Sequence, residues 1–502
     1  RRYVSDDTGR RDAAALGSAM RTGRTGTGAG GNPISIDTSV RGRSFAARLS
    51  ARDIARMTAR RELGVEELAG ALLDDAAAAG AQLNCFAALD PGHVQAQARR
   101  LQERLDGGDA AGPLCAVPIP VKDLIATKDY ATAFGSRPFR DSQPGADAPS
   151  VERMLGDGAI LFGKTTTSEL GCKATGYSPL TGVTRNPWNP TLTPGGSSAG
   201  AAAAVAAGLA PVALGTDGGG SVRIPAALTG LVGFKATFGR VPVHPVSATP
   251  TLAHVGVLAR NVRDAALVLD SISGFDARDP FAVPLPATSA LAACERPPDR
   301  ARVAFSATLG YARPTAGVLR LVEEGAKTLE GLGCEVTPVE ALFDDPAGIW
   351  ESEFYTDVAA KLQDLPPQAW AELDVDVAAK LESCLGRGLL AHRKLALRRF
   401  GLREAARALF ERFDFLVTPT LPVVAFPAER TAPEGYRADD LVCWASYTYP
   451  FNLTGNPAVS LPAGLLDGLP IGMQVVARHH DEERLFALAA AYEAARPWPL
   501  LV

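Results

Sequence analysis

Apolar residues begin to recur at helical spacing just after Ser50. Ile54, Met57, Leu63, Leu68 and Leu72 follow it, and Ser50 itself offers the hydroxyl that an N-cap needs. A second helical pattern runs over 92–106 and stops at Gly107-Gly108. Between 110 and 245 the texture changes: Gly, Pro, Ser and Thr dominate, broken by short apolar runs such as 159–162 and 211–214. Such runs predict short buried strands joined by tight loops. The stretch 199–207 is almost entirely Ala and Val and is closed by Gly208, which predicts a buried helix pressed against a sheet. Further on, the pattern predicts a strand at 302–306, a helix at 316–332, a strand at 334–339 and a helix-rich stretch over 344–412. Strands at 415–417, 459–461 and 473–476 follow, then a closing helix from 481 to 495. Strands and helices alternate, which predicts an α/β fold with a mixed β-sheet core flanked by helices. Residues 1–43 lack apolar periodicity and predict a flexible tail. That leaves 44–502 as one large domain, with 344–412 as a cap-like helical insertion. No internal repeat of 20–50 residues is visible.

Composition narrows the function. Of 502 residues 46% are apolar, ample for a large core and incompatible with disorder over most of the chain. Lys and Arg number 51 against 55 Asp and Glu, with no long basic stretch, so a nucleic-acid partner is not expected. No apolar run reaches the ~18 residues of a membrane span. The seven cysteines (Cys85, Cys115, Cys172, Cys294, Cys334, Cys384 and Cys443) are scattered and never spaced C-x-x-C. That pattern argues against a disulfide framework or a zinc ribbon and for a reducing, cytoplasmic setting. The chain starts Arg1-Arg2 with no apolar stretch behind it, so no secretory leader is expected. His479-His480-Asp481 has no further ligands nearby in the pattern and reads as a solvated helix start rather than a metal site.

Two motifs match only in form. Gly158 to Thr165 fits G-x-x-x-x-G-K-[ST], but its four central residues are Ala159, Ile160, Leu161 and Phe162. Those form a strand, not the flexible loop whose N–H groups cradle phosphates. Gly196-Ser197-Ser198-Ala199-Gly200 fits G-x-S-x-G, yet Pro187, Pro190 and Pro194 precede it where a nucleophile elbow needs a central strand.

Three pieces carry chemistry. Lys122 ends the apolar, Pro-rich run from Gly112; alone it would read as a surface lysine at a strand end. Gly195-Gly196-Ser197-Ser198 precedes the Ala-rich helix and alone would read as an N-cap. Gly218-Gly219-Gly220-Ser221 places three glycines before a serine, so backbone N–H groups can converge on one point without Cβ atoms in the way. Such a concavity suits a developing oxyanion.

In that order the pieces resemble the amidase signature family of serine hydrolases. The resemblance extends through Lys122-Asp123, Gly163-Lys164-Thr165, Asn186-Pro187-Trp188, Gly195-Gly196-Ser197-Ser198, and Gly215 to Ser221. It continues through Gly230 to Arg240, Phe451 to Pro462, and Gly472-Met473-Gln474, covering about 45–500. Ser197 lies 75 residues after Lys122 and 24 before Ser221, as is usual in the family. The departures are Ala199 for a common Gly, Gly218 for a larger residue and Ala236 for a frequent Pro; none removes a reactive group.

The resemblance implies Ser221 as nucleophile, Ser197 as a hydrogen-bonding bridge carrying a cis peptide bond, and Lys122 as general base. Burial among Val117, Ile119 and Val121 would keep Lys122 neutral. The N–H groups of Gly218, Gly219, Gly220 and Ser221 would form the oxyanion hole, with Ser198, Asp217 and Arg223 as support. No cofactor or metal is implied. The expected reaction is hydrolysis of an amide, aryl amide or carbamate through an acyl-enzyme, with a homodimer as the expected assembly. Two alternatives are a glutamine-hydrolysing component of an amidotransferase and a catalytically silent scaffold. The first needs a polar clamp for the amino-acid end, which the sequence does not display. The second does not require Lys122, Ser197 and Ser221 together. The aromatic segment 442–451 makes Trp444, Tyr447 and Phe451 the expected substrate contacts, with Trp350, Phe354, Tyr355 and Trp370 as a cap over the same opening. The competing reading of these aromatics is ordinary core.

Overall fold

The C-terminal ends of two parallel strands in the middle of a mixed sheet set the position of every group discussed below. The computed structural model of the chain describes residues 44–502 apart from 285–287, 299 and 438, so the tail expected over 1–43 lies outside the described residues. Its strands are β1 (Phe86–Ala88), β2 (Pro118–Lys122), β3 (Ile160–Thr165), β4 (Tyr177–Ser178), β5 (Gly182–Val183), β6 (Val212–Thr216) and β7 (Val232–Lys235). They continue with β8 (Val255–Ala259), β9 (Arg302–Phe305), β10 (Glu335–Pro338), β11 (Phe415–Pro419), β12 (Ala458–Leu466) and β13 (Leu469–Ala477). Eleven form one sheet in the order β1-β3-β2-β6-β8-β7-β12-β13-β11-β9-β10, while β4 and β5 pair separately. The pairs β2–β3, β2–β6, β9–β10 and β9–β11 are parallel and the other neighbours antiparallel.

The central strands β2, β3, β7 and β8 are buried along their whole length. That explains why they read as unbroken apolar runs rather than alternating ones: helices cover both faces. Register matters most between β2 and β6, where Val121 pairs with Leu214. The parallel pairing brings Lys122 and Thr216, the last residues of their strands, side by side at the carboxyl edge, where ligands of α/β sheets bind.

The false phosphate loop is indeed a strand, β3, all six residues buried. The Ala-rich helix is Ala199–Ala206, every residue buried, because small side chains let it lie close to the sheet. One expectation needs correction. The helical pattern that starts at Ser50 is not continuous: it divides into Ala51–Ala59, capped by Ser50, and Val65–Leu83. Arg61 at φ 60° turns the chain between them, and Gly64 starts the second helix. The stretch 344–412 holds four helices, Ala347–Leu362, Pro367–Trp370, Val375–Leu385 and Leu389–Arg412. They are packed over a core distinct from the one around the sheet. Among the described residues no helix is long and apolar enough to cross a membrane.

Gly200 shows how tightly the Ala helix is set. A Cβ there would lie 2.2 Å from Cys85 O and 2.5 Å from Thr166 N, both backbone atoms that cannot swing aside. Gly80, in the long N-terminal helix, has nothing within 4 Å of its Cβ position. Gly200→Ala is therefore expected to destabilise the fold by about 1–3 kcal/mol, whereas Gly80→Ala stabilises it by about 0.5–1 kcal/mol. Urea unfolding of both purified variants checks this; equal midpoints would contradict the packing described.

Candidate active site

Lys122 is fully buried. Its Nζ lies 2.7 Å from Ser197 Oγ and 2.9 Å from Thr216 Oγ1, so among the described residues two hydroxyls and no carboxylate touch the amine. Burial drives its pKa well below the ordinary lysine value, and the more distant Asp217 charge offsets this only in part. Two other lysines with no exposed surface lie in different surroundings. Lys164 donates to Ile125 O at 2.7 Å and Thr132 Oγ1 at 2.7 Å, and Asp123 stands 3.8 Å away. Burial brings it down to about 8 against the pull of Asp123. Lys235 donates to Asn456 O at 2.5 Å and to Ala236 O at 3.1 Å. Of the three, Lys122 is the one that reaches a serine hydroxyl, that of Ser197.

Ser197 follows a cis peptide from Gly196. Its neighbour Ser198 joins the two serine loops: Ser198 N–H donates to Ser221 O at 3.2 Å and Ser198 Oγ donates to Thr216 O at 3.2 Å. Gly171 adds a wall here, since a Cβ on it would lie 3.4 Å from Ser197 Oγ.

The loop from Asp217 to Ser221 is built peptide by peptide. In a trans peptide the carbonyl and the following N–H point opposite ways, so fixing one aims the other. Asp217 O accepts from Asn452 Nδ2 at 2.9 Å and from His254 N–H at 3.2 Å, which turns Gly218 N–H the other way. Gly218 O accepts from Trp350 Nε1 at 2.8 Å, which aims Gly219 N–H. Gly220 O accepts from Ile224 N–H at 2.7 Å, which aims Ser221 N–H. The N–H groups of Gly218, Gly219 and Ser221 have no hydrogen-bond partner among the described residues. Gly220 departs from expectation: its N–H donates to Asp217 Oδ1 at 2.8 Å and is not available to an oxyanion. Its place in the loop is conformational instead. At φ +125° its Cβ would strike Thr448 Oγ1 at 2.1 Å, and that hydroxyl donates to Gly219 O at 2.6 Å.

Asp217 and Arg223 hold this loop from beneath, both fully buried. Asp217 accepts from Arg223 Nη2 at 2.8 Å, Arg223 Nε at 3.0 Å, Asn452 Nδ2 at 2.9 Å and Val222 N–H at 3.2 Å. Burial alone would raise the carboxyl; the Arg223 charge, the hydrogen bonds from Arg223 and Asn452 and the Lys235 charge together outweigh it and hold the group well below the usual carboxylate range. Arg223 also donates to Gln474 Oε1 at 2.7 Å, Asn452 Oδ1 at 2.7 Å and Thr448 O at 2.9 Å. Thr216, Thr448, Asn452 and Gln474 are thus supports that sequence reasoning did not single out. Thr216, Asn452 and Gln474 fall inside motifs already visible, whereas Thr448 carried no signal of its own.

The aromatic residues are placed differently from the expectation. Trp444, Tyr447 and Phe451 are completely buried in the core under the helical insert. Trp444 meets Phe426 edge-on at 5.2 Å, Phe451 meets Phe343 at 6.4 Å, and Tyr447 donates to Ala307 O at 2.6 Å. They are core side chains, not walls of an open funnel. The aromatic residues that do reach the glycine loop are Trp350 and Phe354: a Cβ on Gly219 would lie 2.6 Å from the Trp350 ring, and one on Gly218 would lie 3.0 Å from Phe354. Tyr355 sits behind them and donates to Cys172 O at 2.9 Å. Trp370 packs against the same core.

Among the described residues one grouping, Glu351, Asp440 and Cys443, brings three ligand-type atoms within 4.8 Å. Lys380 already pairs with Glu351 at 2.6 Å, Asp440 accepts Cys443 N–H at 2.6 Å, and burial pushes the thiol pKa up. These contacts make it a loop anchor.

Comparison with known proteins gives the family. The Amidase family model matches residues 67–486, and the chain belongs to that family. It is similar to an acylamidase of Rhodococcus erythropolis, 34% identical over 461 residues that cover 90% of this chain and 96% of the relative. It is also similar to the A-type subunit of the glutamyl-tRNA(Gln) amidotransferase of Acidothermus cellulolyticus, 33% identical over 89% of this chain and 94% of the relative. Among solved structures, a bacterial aryl acylamidase of the amidase signature enzymes superposes with a TM-score of 0.85 at 28% identity, covering 90% of this chain and 96% of the other. The protein is accordingly an amide hydrolase acting on C–N bonds.

The Asp217–Arg223 pair gives this section its test. Arg223→Met leaves a carboxylate buried without its main partner and is expected to cost about 3–5 kcal/mol. The double variant Asp217→Asn/Arg223→Met should recover part of that loss. Guanidinium unfolding of the set decides; a loss under about 1 kcal/mol for the single variant would show that the pair does not hold the loop.

Proposed function

We propose that the protein hydrolyses hydrophobic or aryl amides, and carbamates of like shape, by serine catalysis through an acyl-enzyme. The observation that carries this reading is the buried Lys122 amine 2.7 Å from Ser197 Oγ, with no carboxylate in contact among the described residues. A charged lysine could not accept a proton; a buried one without an ion-pair partner can. Ser221 Oγ attacks the carbonyl carbon while its proton passes to Ser197 and the Ser197 proton to Lys122. The carbonyl becomes an oxyanion facing the free N–H groups of Gly218, Gly219 and Ser221, each worth about 3 kcal/mol in such a site. The proton then returns through Ser197 to the leaving nitrogen, which an amide needs because its anion departs poorly. Water hydrolyses the ester on Ser221 by the same proton path in reverse. A reducing, cytoplasmic setting is part of this reading, on the scattered cysteine spacing of the sequence.

Similarity to a component of an amidotransferase raises glutamine as a competing substrate. The groups over the nucleophile loop favour the apolar choice, since Trp350 and Phe354 stack at 4.7 Å directly above Gly218 and Gly219.

Ser221→Ala is expected to keep the fold and lose about four orders of magnitude or more in kcat, and Lys122→Ala nearly as much, because such groups act as a unit. An amine base works only when unprotonated. Activity should therefore climb from acid pH and level off well before the ~10.4 of a free lysine. Stopped assays across pH with one anilide check both; a near-normal Ser221→Ala enzyme, or a rate that rises only near pH 10, contradicts the assignment.

The substrate reading has its own measurement. In a matched series, aryl amides, anilides and aryl carbamates should exceed acetamide and glutamine at least tenfold in kcat/KM, since each well-buried CH₂ contributes ~0.8 kcal/mol. A preference for glutamine would place the protein with the ammonia-releasing amidotransferase components instead.

A further inference from the structure

The hydrogen bond from Trp350 Nε1 to Gly218 O joins the helical insert to the nucleophile loop, at 2.8 Å. Gly218 O and Gly219 N–H belong to one peptide plane and point in opposite directions. Whatever holds the carbonyl therefore aims the N–H, and Gly219 N–H is one of three without a partner among the described residues. The other two are aimed by neighbouring backbone and by Asn452: Ile224 N–H for the plane before Ser221, and Asn452 Nδ2 with His254 N–H for the plane before Gly218. The middle plane alone is held from the insert.

The indole is itself fixed. It is 2% exposed, stacked on Phe354 at 4.7 Å, met edge-on by Tyr355 at 5.6 Å and flanked by Tyr449 at 5.9 Å. Tyr449 donates to Asp345 Oδ1 at 2.9 Å, and the same carboxylate oxygen accepts Ala347 N–H at 2.9 Å where the helix of Trp350 begins. The ring also fits only because residue 219 is glycine, since a Cβ there would lie 2.6 Å from it.

We propose that Trp350 is a positioning residue for the reaction: its indole N–H locks the Gly218–Gly219 peptide so that Gly219 N–H meets the developing oxyanion. This rests on the reading of that loop as the oxyanion site of Ser221. Trp350 touches the loop and not the reacting atoms, so its effect belongs to the transition state rather than to substrate capture. A ring that merely walled the pocket would change KM; a ring that aims a donor changes kcat and the affinity for tetrahedral mimics.

The test compares Trp350→Phe, which keeps an aromatic ring and loses the N–H, with wild type. A second variant carries benzothienylalanine at 350, which keeps the two-ring shape and replaces N–H by sulfur; it serves if the phenylalanine variant does not fold. Three quantities are read: kcat and KM for one anilide, Ki for an aryl trifluoromethyl ketone that adds to Ser221 as a tetrahedral oxyanion, and Ki for a matched aryl alcohol that cannot add. The expected result is a fall of about tenfold or more in kcat, matched by an equal weakening of the ketone, with KM and the alcohol within about twofold; losing a direct donor costs ~10²–10³. An unchanged kcat and ketone Ki, a change confined to KM, or a kcat loss without weaker ketone binding overturns the proposal. Should wild type form no ketone adduct, or Ser221→Ala stay active, the serine reading fails first and this inference falls with it.

Discussion

A lysine amine sits in the interior with two hydroxyls for company and, among the described residues, no acid in contact, and the remaining features of the site follow from keeping it so. Asp217 is the acidic group that acts on Lys122, and burial outweighs its pull; its own oxygens are taken by Arg223, Asn452 and the backbone of Gly220 and Val222. A salt bridge at Lys122 would restore its positive charge and remove the base. The Asp217–Arg223 pair thus does two things: it shapes the glycine loop, and it confines a buried negative charge away from the amine.

Topology makes this arrangement possible. Parallel pairing of β2 with β6 delivers Lys122 and Thr216 to one edge of the sheet, and the Ala-rich helix, small enough to lie flat, brings Ser197 and Ser198 over that edge. The loop after β6 then turns back to place Ser221 beside Ser198. Trp350 and Phe354, on helix Ala347–Leu362, lie against Gly218 and Gly219, so the candidate site draws on both the sheet and the helices of 344–412.

Much of this was legible in the chain. The unbroken apolar runs of β2, β3 and β6 announced buried strands, and Ala159 to Phe162 dismissed the phosphate loop by their strand character. Lys122, Ser197 and the Gly-Gly-Gly-Ser run were visible as residues, and the structure brings Lys122 to Ser197. What could not be read was direction. Aromatic density at 442–451 looked the same whether it faced a cleft or a core, and the side chains turned inward. Three glycines suggested four free donors, but Asp217, anchored by Arg223, takes the N–H of Gly220. The break at Arg61 was hidden because apolar spacing continued across it while the backbone did not.

The protonation state of Lys122 is the point on which the account stands or falls, and carbon-detected NMR of the enzyme labelled at lysine Cε reads it directly, with Lys122→Ala to assign the signal. The account predicts a Cε resonance already at its neutral-amine position at about pH 7.5, well below the ~10.4 of a free lysine, and moving only on acidification. A Lys122 that keeps its ammonium signal up to about pH 10 would contradict it.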